Sequence, residues 1–380
     1  MATFIYRNFR FTMNEQTNDI ESQTLLKSSP AGRLEGTVPG SVLCFGEVMV
    51  RLSLPGDTSW LHQQQLHANL AGAECNVAVA LAKWGMPVNY CTALPAGPVS
   101  TDILTFLQEK NINTSLVQFS GSRVGIMYVM QGSDSREGGV VYDRRYSSFG
   151  ELLPGMVNWD EVLQGVGWFH FTAISPALSE NTTAVCMEAV LAAKRLGITV
   201  SIDLNHRPTL WKYGKTPVEV IPSLAGHCDV IMGNIWSANT LLGIPLHNNL
   251  IAANTREAFL QHAEQTSLAI QQRFANCKTV ALTFRFNTLQ GGIHYYGSLY
   301  KSNRLYASGD FTAATIADKI GSGDCFMAAL IFALRNGYAP GATVEFAAAA
   351  AFGKLQEKGD FTNHTTDNIN NIIKHHAYAI

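Results

Sequence analysis

No excess of charge, no long apolar run, no paired-cysteine motif and no internal repeat occurs in these 380 residues, and each absence removes a class of protein. The net charge is −2, so there is neither a basic face for nucleic acid nor a polybasic membrane anchor. No uninterrupted apolar segment approaches the roughly 18 residues that a membrane span requires. The N-terminus lacks the apolar core of a signal peptide, because Arg7, Arg10 and Asn14 interrupt it. The default placement is therefore cytoplasmic, with small molecules as the expected partners. The seven cysteines (44, 75, 91, 186, 228, 277 and 325) form no C-x-x-C pair and sit mostly inside apolar runs. They read as buried free thiols of a reducing compartment, not as a disulfide framework or zinc site. His375-His376 lacks the i, i+4 spacing of a helical metal site, so no metal ligands are assigned. Common nucleotide motifs are missing too. Gly214-Lys215-Thr216 looks like the end of a P-loop, but position 209 is Thr where that motif needs Gly. No G-x-G-x-x-G follows the first strand, which argues against a dinucleotide-binding enzyme.

What is present is an apolar fraction of 47% and a charged fraction of 15%, enough for a substantial core in one large α/β domain or two smaller ones. Residues 1–40 are polar and punctuated by Gly, Pro and Ser; they read as a flexible extension, with Met13 as an alternative start. Order begins at Val42–Phe45. Further buried-strand signatures fall at Val88–Ala93, Trp168–Thr172, Thr199–Leu204, Val230–Met232 and Val280–Phe284. Helical patterns lie between them. Val77, Leu81 and Trp84 share one face of the first; Thr183–Leu196 follows Asn181, read as its N-cap; Thr255–Phe274, Gly323–Asn336 and Ala342–Gln356 complete the series. Such alternation predicts a mostly parallel sheet covered on both faces, with ligands beyond the carboxyl ends of the strands. Segments 48–54, 59–68, 124–131 and 138–146 break the rhythm as short extended pieces, with Gly138-Gly139 as a turn. They predict a small sheet emerging from the main domain, placed to exclude water as a lid.

Four stretches carry candidate chemistry. In Asp318–Asp324, the small residues Gly321, Ser322 and Gly323 precede an acid where a loop becomes a helix. Uncovered backbone N–H groups and the helix dipole can hold an anion there, and Asp324 can take a proton from a hydroxyl beside it. The same residues would also make an ordinary capped turn. Ala71–Asn76 opens the first helix, where Gly72 admits a ligand and Asn76 offers donor and acceptor to sugar hydroxyls. Asp203–Trp211 follows a buried strand; Arg207 can clamp a carboxylate or phosphate through a bidentate fork, or pair structurally with Asp203. Tyr142–Tyr146 puts Arg144 and Arg145 in the small sheet, and Ala281–Arg285 ends a strand that can border a nucleotide.

In this order, the stretches resemble the ribokinase-like (PfkB) sugar kinases, whose two signatures correspond to Ala71–Gly85 and to the D-x-x-G-x-G-D of Asp318–Asp324. The resemblance covers about residues 42–375. Within that family, 2-keto-3-deoxygluconate kinases are the nearest likeness. The matching stretches are Gly46–Ser53, Arg123–Ile126, Val140–Arg144, Trp168–Thr172, Ser175–Ser179, Asp203–Trp211 and Gly359–Phe361. The likeness implies a three-layer α/β/α domain over residues 41–380, a discontinuous β-lid from about 48–68 and 124–146, ATP as donor and Mg²⁺ as helper, with room for a monovalent cation (K⁺). It also implies a dimer or higher assembly. Residue by residue, it implies Asp324 as proton acceptor and Gly321, Ser322 and Gly323 as anion hole. Gly72, Asn76, Tyr128, Arg144 and Arg207 would be substrate-binding, and Asn205, Asn234, Thr283 and Arg285 would border the nucleotide. A keto-deoxy sugar acid carries a carboxylate, which would explain the arginines. Departures from the family pattern are Ser237 in place of an acid in Asn234–Ser237, Ala71 in place of Gly, Cys325 in place of Ala or Ser, and Met127 and Met130 in the lid. The readings carried forward are a kinase for 2-keto-3-deoxygluconate or a close sugar acid, a kinase for fructose or another ketose, and a sugar-binding regulator without turnover.

Overall fold

The apolar runs read as strands enter one ten-stranded sheet in the computed structural model, which describes residues 40–54, 65–129, 139–288 and 291–377, except that Ala93 at the end of the second run pairs with Gln118 in a separate two-stranded sheet. In spatial order the strands are Arg304–Ala307, Ile293–Lys301, Thr279–Asn287, Val230–Gly233, Thr199–Asp203, Val166–Thr172, Ser41–Phe45, Val88–Cys91 and Ile112–Asn113. Phe311–Ala313 pairs beside Ile293–Lys301. Pairing is parallel from Ile112–Asn113 through Thr279–Asn287 and antiparallel beyond it.

The period-2 alternation of a strand sends successive side chains to opposite faces, and here both faces are dry. Val42 and Cys44 join the core under the helices Ala73–Lys83, Ser322–Arg335 and Pro340–Leu355. Leu43 and Phe45 join the core under Glu180–Arg195, Pro217–Ala225, Ile235–Leu242 and Arg256–Arg273. Val230 and Met232 divide from Ile231 in the same way. The result is the three-layer α/β/α arrangement expected from the sequence. All seven cysteines are free and buried within these layers. Among the described residues, no helix is long and apolar enough to cross a membrane.

A second, four-stranded sheet runs His67–Ala71, Met49–Ser53, Gly125–Val129, Val140–Asp143, with a parallel central pair and antiparallel outer pairs. It is the small sheet anticipated from the broken rhythm. Residues 55–64, Gly138, Met130 and the extension up to residue 39 lie outside the described residues.

One helix start differs from expectation. The helix begins at Glu180, and its N-cap is Ser179, not Asn181. Ser179 has extended dihedrals, its hydroxyl accepts from the Thr182 N–H at 3.1 Å, and the Thr182 hydroxyl accepts from the Ser179 N–H at 3.1 Å. Asn181 sits inside the first turn and faces outward. Ser179→Ala is expected to cost about 1 kcal/mol of stability, whereas Asn181→Ala should stay within about 0.5 kcal/mol of the parent. Urea midpoints measure both; a larger loss at Asn181 would refute the cap assignment.

Candidate active site

Strand ends and two helix starts meet at one edge of the sheet. The helix Ser322–Arg335 is entered through Gly321, whose φ of 78° is left-handed. A Cβ on Gly321 would lie 2.2 Å from the Asp360 carbonyl oxygen, so only glycine fits this turn. The loop before it is tied down locally. Asp318 Oδ1 accepts from the Ile320 N–H at 3.0 Å and Oδ2 from the Gly359 N–H at 3.2 Å, while the Ser322 hydroxyl donates to the Lys319 carbonyl at 3.2 Å. The result is a fixed turn whose first helical N–H groups face outward from the dipole's positive end.

Asp324, in the first turn of this helix, is buried, and the Asn76 amide donates to its Oδ2 at 2.7 Å. Burial raises the Asp324 pKa to about 6; the Asn76 hydrogen bond and the nearby Arg207 and Lys354 charges hold it from going higher. Asn76 Oδ1 is buried without a protein partner, leaving an acceptor directed at this space. The helix that carries Asn76 starts at Gly72, with φ 153°, where a Cβ would come within 2.5 Å of the Glu47 carbonyl. Below it, Glu74 is buried and accepts from the Thr172 N–H at 3.0 Å and the Thr172 hydroxyl at 2.7 Å, with its pKa raised by burial to about 7.

Arg207 comes from the loop after Thr199–Asp203. Its guanidinium donates to Asn205 Oδ1, to the His206 carbonyl at 3.0 Å and, through Nε, to the Tyr142 hydroxyl at 3.3 Å. It makes no ion pair with Asp203, which is one of the two readings left open above. Asp203 is buried, with its pKa raised well above normal by desolvation and by Asp324 and lowered in part by Arg207. Arg285 reaches from its strand to the loop itself, 3.3 Å from Ser322 Oγ and 3.4 Å from the Lys319 carbonyl. Thr283 donates to the Gly233 carbonyl at 3.3 Å.

Asp324, Gly321–Gly323, Asn76, Asn205, Arg207 and Arg285 are thus brought together. Others have prior engagements. Arg144 is buried and paired with Glu47, Nε to Oε2 at 2.7 Å, so its charge is matched inside the protein. Asn234 and Ser237 form a reciprocal helix cap, with 2.9 Å bonds in both directions. Tyr128 lies on Gly125–Val129 of the small sheet, and Arg145 stacks over the exposed Tyr146 ring at 4.9 Å. Sequence reasoning assigned no role to Glu47, Glu74, Arg51, Asp360 or Lys354, all buried near the site. The pairs Gly46-Glu47 and Gly359-Asp360, an acid directly after a glycine, were the available signal.

A left-handed glycine turn opening a helix, with a buried carboxylate of raised pKa beside it on a three-layer α/β/α sheet, is the equipment that phosphoryl transfer to a hydroxyl requires. The pattern of the pfkB family carbohydrate kinases matches residues 40–274, more than half of the chain, and the protein belongs to that family. Over most of its length it is similar to the 2-dehydro-3-deoxygalactonokinase of Haloferax volcanii, at 26% identity over 333 residues (88% of this chain, 96% of that one). In structure it resembles the 2-dehydro-3-deoxygluconokinase of Thermotoga maritima, with a TM-score of 0.79 and 30% identity over 88% of this chain and 99% of the other. An Escherichia coli chain solved with ATP and Mg²⁺ shares the fold, with a TM-score of 0.70 at 18% identity over 89% and 100%. The loop 318–324 lies outside the matched family segment, so its place in the site rests on the geometry above.

Removing the Asn76 donor as Asn76→Ala is expected to raise the Asp324 pKa above its value of about 6. A carboxyl ¹³C NMR titration measures the midpoint, and an unchanged midpoint would show that the bond does not tune the acid.

Proposed function

We propose that this carbohydrate kinase transfers a phosphoryl group from ATP to the terminal hydroxyl of 2-keto-3-deoxygluconate or its C4 epimer, the sugar acids named by its relatives. The observation that carries the acid specificity is Arg207. Its guanidinium lies close enough to affect the Asp324 pKa, and a hydroxyl from the small sheet steadies it. A neutral sugar offers no carboxylate for a guanidinium fork to hold, whereas a sugar acid does.

The residues divide the work as follows. Asp324 accepts the proton of the attacking hydroxyl, a step worth about 10²–10⁴-fold. The unpartnered Oδ1 of Asn76 orients a neighbouring hydroxyl, while its amide keeps the base ionised near neutrality. Backbone N–H groups of 321–323 stabilise the charge that moves on the transferred phosphoryl, and in-line geometry does the rest. Tyr142 joins the small sheet to Arg207, which supports the sheet's role as a lid that completes the pocket and excludes water. Arg144 supports that lid through its ion pair with Glu47.

Among the described residues, no group of three metal-ligating side chains is assembled, and the Asn234–Ser237 cap uses the side chains at which the family organises Mg²⁺. A Mg²⁺ carried on the nucleotide phosphates suits such a site, where it would neutralise phosphate charge.

ADP release measured with ATP, Mg²⁺, both epimeric sugar acids and neutral sugars tests the assignment. Turnover on the sugar acids is expected, and turnover on neutral sugars alone would overturn it. Asp324→Asn should bind sugar and ATP yet lose at least about 10²-fold in kcat. The acid limb of kcat/KM should fall near pH 6, with activity rising as Asp324 ionises. Arg207→Ala should lower kcat/KM for sugar acids by about 10²-fold, the size of a lost charge-assisted hydrogen bond, and for neutral sugars much less, through the rise in the Asp324 pKa alone. Equal losses on both would remove its carboxylate role.

A further inference from the structure

Behind the anion turn lies a fully buried lysine that no step above uses. Lys354 is in the last turn of Pro340–Leu355, and its Nζ donates to the Glu357 carbonyl at 3.0 Å. Its Cε would be 3.3 Å from a Cβ on Gly321, so the stem packs directly against the back of the turn. The carboxylates of Asp318, Asp360 and Glu357 all act on the Lys354 ammonium. Asp318 holds the Ile320 and Gly359 N–H groups, and Asp360 pairs with Arg51 of the small sheet at 3.1 Å, with Asp318 3.9 Å from the same guanidinium. The chain at Ala317 is sewn to the end of the Lys354 helix by a 2.8 Å bond to the Leu355 carbonyl.

Asp318 and Asp360, with the Glu357 carboxylate near Lys354 as well, therefore face two cations, Arg51 and Lys354, behind the 321–323 turn. Burying an ammonium costs several kcal/mol unless charges and hydrogen bonds offset it. Burial lowers the Lys354 pKa, and Asp318, Glu357 and Asp360 oppose that shift. Without the lysine, Asp318 and Asp360 would keep one cation between them and would repel the incoming anion across the turn. A bound K⁺ behind this turn would compete with the ammonium for the Glu357 carbonyl.

We propose that the Lys354 ammonium is the built-in cation of the anion loop: a positioning residue that neutralises Asp318 and Asp360, holds the 321–323 N–H groups toward the phosphoryl group, and leaves the enzyme with no need of K⁺. The proposal rests on kinase activity but not on which sugar is phosphorylated.

The test uses the full chain with ATP, Mg²⁺ and whichever sugar gives turnover. Wild-type kcat should change less than about twofold when K⁺ replaces tetramethylammonium at constant ionic strength; a severalfold rise would overturn the proposal. Lys354→Met keeps the bulk and removes the charge, and its kcat should fall by about 10²-fold with KM for the sugar little changed. Lys354→Ala should fall similarly and recover in part with methylammonium or ammonium, but not with tetramethylammonium. Wild-type kcat in Lys354→Met, or a loss in Lys354→Ala that no small cation restores, would overturn the proposal. If neither variant holds its fold by circular dichroism, the wild-type cation comparison decides alone. Failure of the substrate assignment is separate, because it would appear as wild-type turnover restricted to other sugars.

Discussion

The hydrogen bond from Asn76 to Asp324 spans 248 residues of chain and joins the starts of two helices that pack side by side on one face of the sheet. Its consequences reach in both directions. It places the carboxylate beside the anion turn and offsets part of the burial that would otherwise keep the acid protonated at neutral pH. To bring Asn76 there, the first helix must start hard against the chain that leaves the first strand. Gly72 makes that possible, since any side chain would meet the Glu47 carbonyl. To bring Asp324 there, Gly321 must pass within contact of Asp360. The glycines of both signatures are thus required by the close approach that one interaction demands.

Around this bond the protein keeps an unusual quantity of buried charge. Glu47, Arg51, Glu74, Arg144, Asp203, Asp324, Lys354 and Asp360 are all buried, in a chain with only 15% charged residues. Glu47 with Arg144, and Arg51 with Asp360, each tie the small sheet to elements at the site. Buried pairs of this kind add little net stability, because desolvation offsets attraction. Their effect is geometric. The small sheet is tied to the 318–324 loop at one side by Arg51 and to Arg207 at the other by Tyr142.

Much of this was legible in the sequence. The strands at Val42–Phe45, Val88–Ala93, Trp168–Thr172, Thr199–Leu204, Val230–Met232 and Val280–Phe284 all formed, since short β-rich apolar runs between turn residues have few alternatives. The left-handed Gly321 and the helix after it were signalled by small residues before an apolar run. Other features were illegible for physical reasons. Ser179 and Asn181 are both good caps by residue type, and only the backbone shows which one is extended. Arg144 and Arg207 look alike as arginines after an aromatic or polar stretch. One is neutralised by a glutamate 97 residues earlier and the other is not.

The sequence by itself determined the layered α/β scaffold, the small sheet and the anion turn, because periodicity, β-branched runs and glycine conformations are local properties carried by neighbouring residues. The tertiary structure alone decided which charges face one another. Whether Asp324 is poised near neutrality, whether Arg144 is free, and whether Lys354 serves as a cation behind the loop depend on burial and on partners far away in the chain. Burial and distant partners set electrostatic free energies, and neither can be read from the order of residues.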